Sequence, residues 1–164
     1  MKCCRLSELM QFSLNSSESQ EGYAAWKEMK YSVAISKWNP LSQQKNSEAQ
    51  NNLGVLYAGG FGVRQDYKAA VDYFKSASKT GLPSAQINLA VMYCNGFGVE
   101  QSNELALAWY SAAAANGIAV AGHRRDIVTN YMKSAEICAA QHLATQIMAC
   151  NDAGHECECA LRYG

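Results

Sequence analysis

A chain of 164 residues, nearly half of them apolar, is long enough to bury one core and too apolar to stay disordered. Its 14 basic and 14 acidic side chains cancel, which leaves no electrostatic case for nucleic acid as the partner. No apolar run approaches the roughly 20 residues a membrane span needs, and a chain with only two prolines and the run Ala112–Ala115 favours helix over sheet.

The N-terminus runs Met1-Lys2-Cys3-Cys4-Arg5-Leu6 before Ser7, Glu8, Gln11 and Ser13. It contains no uninterrupted apolar stretch of the kind a secretory signal needs, so the expectation is a cytoplasmic chain. Cys3-Cys4 lacks the export segment that precedes a lipidated cysteine. Residues 1–17 read as a flexible tail. Tyr23, Trp26 and Met29, followed by a helix over Tyr31–Leu41, make an incomplete helix pair across 18–46.

Two full repeats follow. Residues 47–82 align with 83–118 at a shift of 36 without a gap, and 14 of the 36 positions are identical. Each unit reads as two helices. Ser47, with Gln50 three residues on, makes a capping box for the first helix. Ala49, Leu53, Leu56 and Tyr57 recur at helical spacing, and Gly59-Gly60-Phe61-Gly62 ends it. Asp66 caps the second helix, whose stripe is Ala70, Tyr73, Phe74 and Ala77. Pro83 opens the next unit, where Ser102 is the cap and Leu105, Ala106, Trp109, Tyr110 and Ala113 the stripe. Such units cannot bury both faces alone, so they stack. The glycine turns lack the third glycine and preceding strand of a phosphate loop.

Residues 119–150 form a last, degenerate pair. His123-Arg124-Arg125-Asp126 makes its first helix polar, as a terminal unit requires, and Leu89 falls on Arg125 at the repeat shift. His123 and Asp126 are spaced to pair on one helix face, but no nucleophile accompanies them. Ser134 is placed to cap the second helix, with Ile137, Ala140, Ala144 and Ile147 as its stripe. Residues 151–164 form a cysteine-rich tail. Cys150, His155, Cys157 and Cys159 are zinc-ligand types, but one residue between Cys157 and Cys159 is not the usual structural spacing. A metal site, a disulfide from Cys138 or Cys150 to a tail cysteine, and free thiols all stay open.

With its repeats aligned, the sequence resembles the Sel-one-like repeat (SLR) family, helical repeats related to tetratricopeptide repeats. The residues that carry the resemblance are Ala49-Gln50-Asn51-Asn52-Leu53-Gly54-Val55-Leu56-Tyr57, Gly60-Phe61-Gly62-Val63 and Asp66-Tyr67-Lys68-Ala69-Ala70, with Ala85–Tyr93 and Gly96–Val99 in the second copy. The resemblance implies an all-α solenoid of antiparallel helix pairs in a right-handed superhelix, and a scaffold role. The family's members are common in bacteria and many are exported, which makes a periplasmic or secreted location the alternative. Some cysteine-rich relatives were described as binding or hydrolysing β-lactams. Their paired cysteines are missing here, where Cys94 is the one cysteine of the two repeats and Ala58 stands at its matching position, so that activity does not carry over.

A solenoid binds on its concave side, lined by the first helix of each pair. If Ala49, Leu53 and Tyr57 face the core, the other side holds Asn51, Val55 and Ala58, with Asn52 flanking. The second unit places Ile87, Val91 and Cys94 there, with Asn88 flanking. Two readings of this strip stand. It is either a groove in which Asn51, Asn52 and Asn88 bind the backbone of a protein or peptide, or a surface consumed by packing between neighbouring first helices. The expectation is a monomeric interaction scaffold without cofactor or catalysis. The alternatives are a thiol, disulfide or metal module in the C-terminal tail and, by family analogy, a hydrolase.

Overall fold

The computed structural model describes residues 10–153. Eight helices follow in chain order: α1 Ser17–Lys27, α2 Tyr31–Gln43, α3 Ser47–Gly59, α4 Tyr67–Ser78, α5 Pro83–Asn95, α6 Asn103–Ala115, α7 Ala119–Thr129 and α8 Ser134–Ala153. No strand occurs among the described residues. From α1 to α7 each helix packs on the next, which is the all-α solenoid of stacked pairs that the repeat predicts.

Positions 36 apart have matching surroundings. Leu53 and Leu89 are both buried. Gly60 and Gly96 both end their helices in the left-handed conformation, at φ 70°. Gln65 donates to the Ala58 carbonyl at 2.8 Å and Gln101 to the Cys94 carbonyl at 2.9 Å. Gly62 presses on Tyr31 and Gly98 on the backbone of Tyr67, one unit later in each case. The glycine turns therefore hold each pair against the second helix of the pair before it.

Asp66 and Ser102 cap α4 and α6 as expected, accepting from the amides of Ala69 and Leu105. The cap of α3 is Asn46, one residue before the expected Ser47. Asn46 has the extended backbone of a cap and accepts from the Ala49 amide; asparagine and serine cap about equally well, so backbone conformation decides. Ser134 is the first residue of α8, and the amide before it, of Lys133, donates to Glu136 at 2.7 Å.

The first pair is a shortened copy. Gly22 faces the Trp38 ring as Gly54 faces the Phe74 ring. Trp38 and Phe74 lie 36 residues apart, but Gly22 and Gly54 only 32. The turn at 28–30 is four residues shorter than the turn at 60–66. Hence Ser19, Tyr23 and Trp26 on α1 hold the places of Asn51, Val55 and Ala58 on α3.

The last two helices depart from the expected hairpin: α8 packs chiefly on α6 rather than on α7. Only Ala121, Arg124 and Val128 are buried on α7, which offers α8 little apolar surface. On α8, Ala140, Ala144 and Ile147 join the same buried cluster as Leu107, Ala108 and Ala112 of α6. Its last turn brings Asn151 against Gly81, between α4 and α5.

Candidate functional site

Residues 10–16 were expected to be part of a loose tail. They cross the face of α3 and α5 that the sequence assigns to binding. Residues 10–14 have no regular secondary structure, but two of their main-chain units are gripped by side-chain amides. The Gln11 amide donates to Asn88 Oδ1 at 2.7 Å, and the Gln11 carbonyl accepts from Asn88 Nδ2 at 2.9 Å. The Ser13 amide donates to Asn52 Oδ1 at 2.8 Å, and its carbonyl accepts from Asn52 Nδ2 at 2.9 Å. Asn52 and Asn88 are equivalent positions, so successive repeats grip alternate residues of the segment.

Asn51 joins the two grips. Its Nδ2 donates to the Gln11 carbonyl at 2.8 Å and its Oδ1 accepts from Asn88 Nδ2 at 2.9 Å. All three asparagines are fully buried. Burying a carboxamide is costly unless its donors and acceptors are used. Here the partners are supplied by the backbone of Gln11 and Ser13 and by the asparagines themselves.

Between the gripped residues, Phe12 enters an aromatic pocket. Its ring centroid lies 4.7 Å from Trp26, 5.1 Å from Tyr23 and 5.9 Å from Trp38. These separations suit tilted aromatic packing. Tyr23 and Trp26 stack on each other at 5.3 Å. Phe12 also packs against both buried clusters, the one built on α1–α3 and the one running from α3 to α8.

The segment enters α1 through Ser16, the cap of that helix, whose side chain accepts from the Ser19 amide. Glu48 Oε2 accepts from the Ser16 amide at 3.1 Å and the Ser19 hydroxyl at 2.9 Å. Burial pushes the Glu48 carboxyl up, but these hydrogen bonds outweigh it and hold the group below its ordinary value. Burial alone raises the Tyr93 phenol.

Of the sequence-predicted residues, Asn51, Asn52 and Asn88 are brought together on the segment. Val55, Ala58, Ile87, Val91 and Cys94 are all buried and belong to one cluster, with Met10 and Phe12 packed against it. Sequence reasoning missed the segment itself, Glu48, and the Tyr23–Trp26 pocket. The available signals were an aromatic residue between polar neighbours at 11–13 and two aromatics three apart on one helix. Arg124, one repeat beyond Asn88, is buried as well. Asp126 pairs with Arg125 at 2.8 Å, while His123 is exposed.

At the C-terminus, Cys150 is disulfide-bonded, so its sulfur is not the thiolate that zinc binds. Cys138 is an exposed thiol. His155, Cys157 and Cys159 lie outside the described residues. Among the described residues no group of histidine, cysteine and carboxylate side chains could hold a metal ion, and no helix is long and apolar enough to cross a membrane.

Comparison with known proteins agrees with the helical-repeat fold. Residues 47–82 and 83–118 each match the family described as Sel1 repeat. The structure resembles that of c5321, a protective antigen present in uropathogenic Escherichia coli strains displaying an SLR fold. The TM-score is 0.77 at 23% identity, over 90% of this chain and 32% of that one, a likeness of fold alone. It also resembles a Sel1 repeat protein from Oxalobacter formigenes, with a TM-score of 0.63 at 28% identity, over 77% of this chain and 54% of that one. The chain thus spans about a third and about half of these two structures. No curated protein matches it.

Proposed function

From the premise that this chain is a protein with two Sel1 repeats, we propose that it is an interaction module that binds an extended peptide across α3 and α5. The observation that carries this reading is the paired grip of Asn88 on Gln11 and Asn52 on Ser13. A side-chain carboxamide presents both an N–H donor and a carbonyl acceptor, as a peptide unit does. It can therefore pair with one residue's main chain much as a neighbouring strand would. Each such hydrogen bond is worth about 1 kcal/mol net, and the orphaned buried partner costs more. The grip is on main chain, so it tolerates many side chains at the gripped positions.

The test is selection of displayed heptapeptides on the full chain. Those enriched are then titrated against the parent and an Asn52→Ala/Asn88→Ala variant. The double substitution should weaken binding by about tenfold or more, with helical circular dichroism unchanged. Equal affinity for the two proteins would refute the assignment of the groove.

A further inference from the structure

Building on the peptide-binding reading above, we infer that residues 10–16 are a built-in ligand of the groove. A partner peptide must displace them, and the pocket filled by Phe12 selects an aromatic side chain in that peptide. The segment shows what the site accepts. It has no regular secondary structure over residues 10–14 and carries no charged side chain from Met10 to Ser16. It supplies N–H groups at Gln11 and Ser13 to the asparagines and an aromatic ring between them. In an extended chain, alternate side chains leave on opposite faces. With the main chains of 11 and 13 fixed on Asn88 and Asn52, the intervening residue is the one aimed at Tyr23, Trp26 and Trp38. The asparagines discriminate little among side chains, so selectivity rests on this pocket.

The hold on the segment is reversible. It consists of hydrogen bonds and ring packing, and its tether to α1 is Asn15–Ser16. Such a tether keeps the occupant at an effective concentration on the order of millimolar. The face beneath remains chemically fit for another peptide, because the polar groups buried in it are main-chain readers. A permanent filler would sit on apolar side chains without the cost of burying three carboxamides. An incoming peptide binds more weakly by the factor by which the segment already fills the site. Partners are therefore neutral, extended peptides with an aromatic residue flanked by two non-proline residues.

The experiment uses a fluorescein-labelled heptapeptide copying residues 10–16, titrated against the full chain and two variants. Phe12→Ala removes the anchor of the resident segment. Gln11→Pro leaves the aromatic anchor but removes the N–H donated to Asn88 Oδ1 and fixes φ at that residue, so it disturbs the grip while the core it packs on stays intact, which guards against a variant that folds poorly. Both variants should bind the peptide about tenfold more tightly than the parent. A peptide with alanine in place of its phenylalanine should lose about tenfold on the same variants. Equal affinity for parent and variants would show that the segment does not compete. Equal affinity for the two peptides would show that the pocket does not select. A dimer in size-exclusion chromatography that exchanges the segment would make a second copy the occupant and overturn the proposal. If selected peptides depend on Asn52 and Asn88 yet bind the parent and Gln11→Pro alike, this inference falls while the peptide-binding reading stands. If they ignore Asn52 and Asn88, the reading itself falls.

Discussion

Gly98 and Gly117 share a left-handed backbone, at φ 71° and 79°, but not a neighbourhood. A Cβ on Gly98 would drive into the Tyr67 backbone, whereas nothing lies within 4 Å of one on Gly117. Alanine at 117 therefore pays only conformational strain, about 1–2 kcal/mol. Alanine at 98 adds overpacking against backbone that cannot yield, for about 2–4 kcal/mol in all. Denaturant titration of the two variants should separate them in that order. The asparagines were legible at the same scale, because the angle around a helix places Asn51, Asn52 and Asn88 from sequence alone. Their partners were not. A side chain's position on a helix does not reveal which distant main chain will satisfy it, and Gln11 lies 77 residues from Asn88.

At the scale of the element, the α1–α2 turn explains why the first pair was only half visible. Losing four residues there shifts Gly22, Tyr23 and Trp26 out of the 36-residue register, while Tyr31, Ala34 and Trp38 stay in it. The N-terminal end of α1 also carries a pH response. Glu48 binds Ser16 and Ser19 in its charged form, and its folded pKa lies below the ordinary carboxylate value. A lowered carboxylate pKa contributes stability that is full above the unfolded value and is lost as pH falls through the folded one. Unfolding midpoints should therefore drop on acidification through the carboxylate range. Glu48→Gln should be less stable near neutral pH and should flatten that part of the profile.

Across the whole molecule, the segment ties together what the stacking order keeps apart. It touches α1 through Phe12, α3 through Asn51 and Asn52, and α5 through Asn88, while α1 and α5 are separated by three helices. Amide hydrogen exchange should show Gln11 and Ser13 protected in the parent. In Asn52→Ala/Asn88→Ala both should exchange faster by about fivefold or more, one lost hydrogen bond each, with the amides of α6 unchanged. The solenoid was readable because its repeat is gap-free. The crossing segment has no periodicity of its own, and the unlike packing of α8 on α6 follows from how little apolar surface α7 provides.

The spacing of the two grips fixes how far the resident segment advances from one repeat to the next. One helix pair advances the bound chain by two residues, from Ser13 to Gln11, and the bound chain runs opposite to the order of the repeats. A longer array built from these units would read every second peptide unit, in reverse, like notches on a ruler. Inserting one repeat between the two would lengthen the stretch of chain the array can hold by a dipeptide and leave the aromatic contact at the end nearest α1.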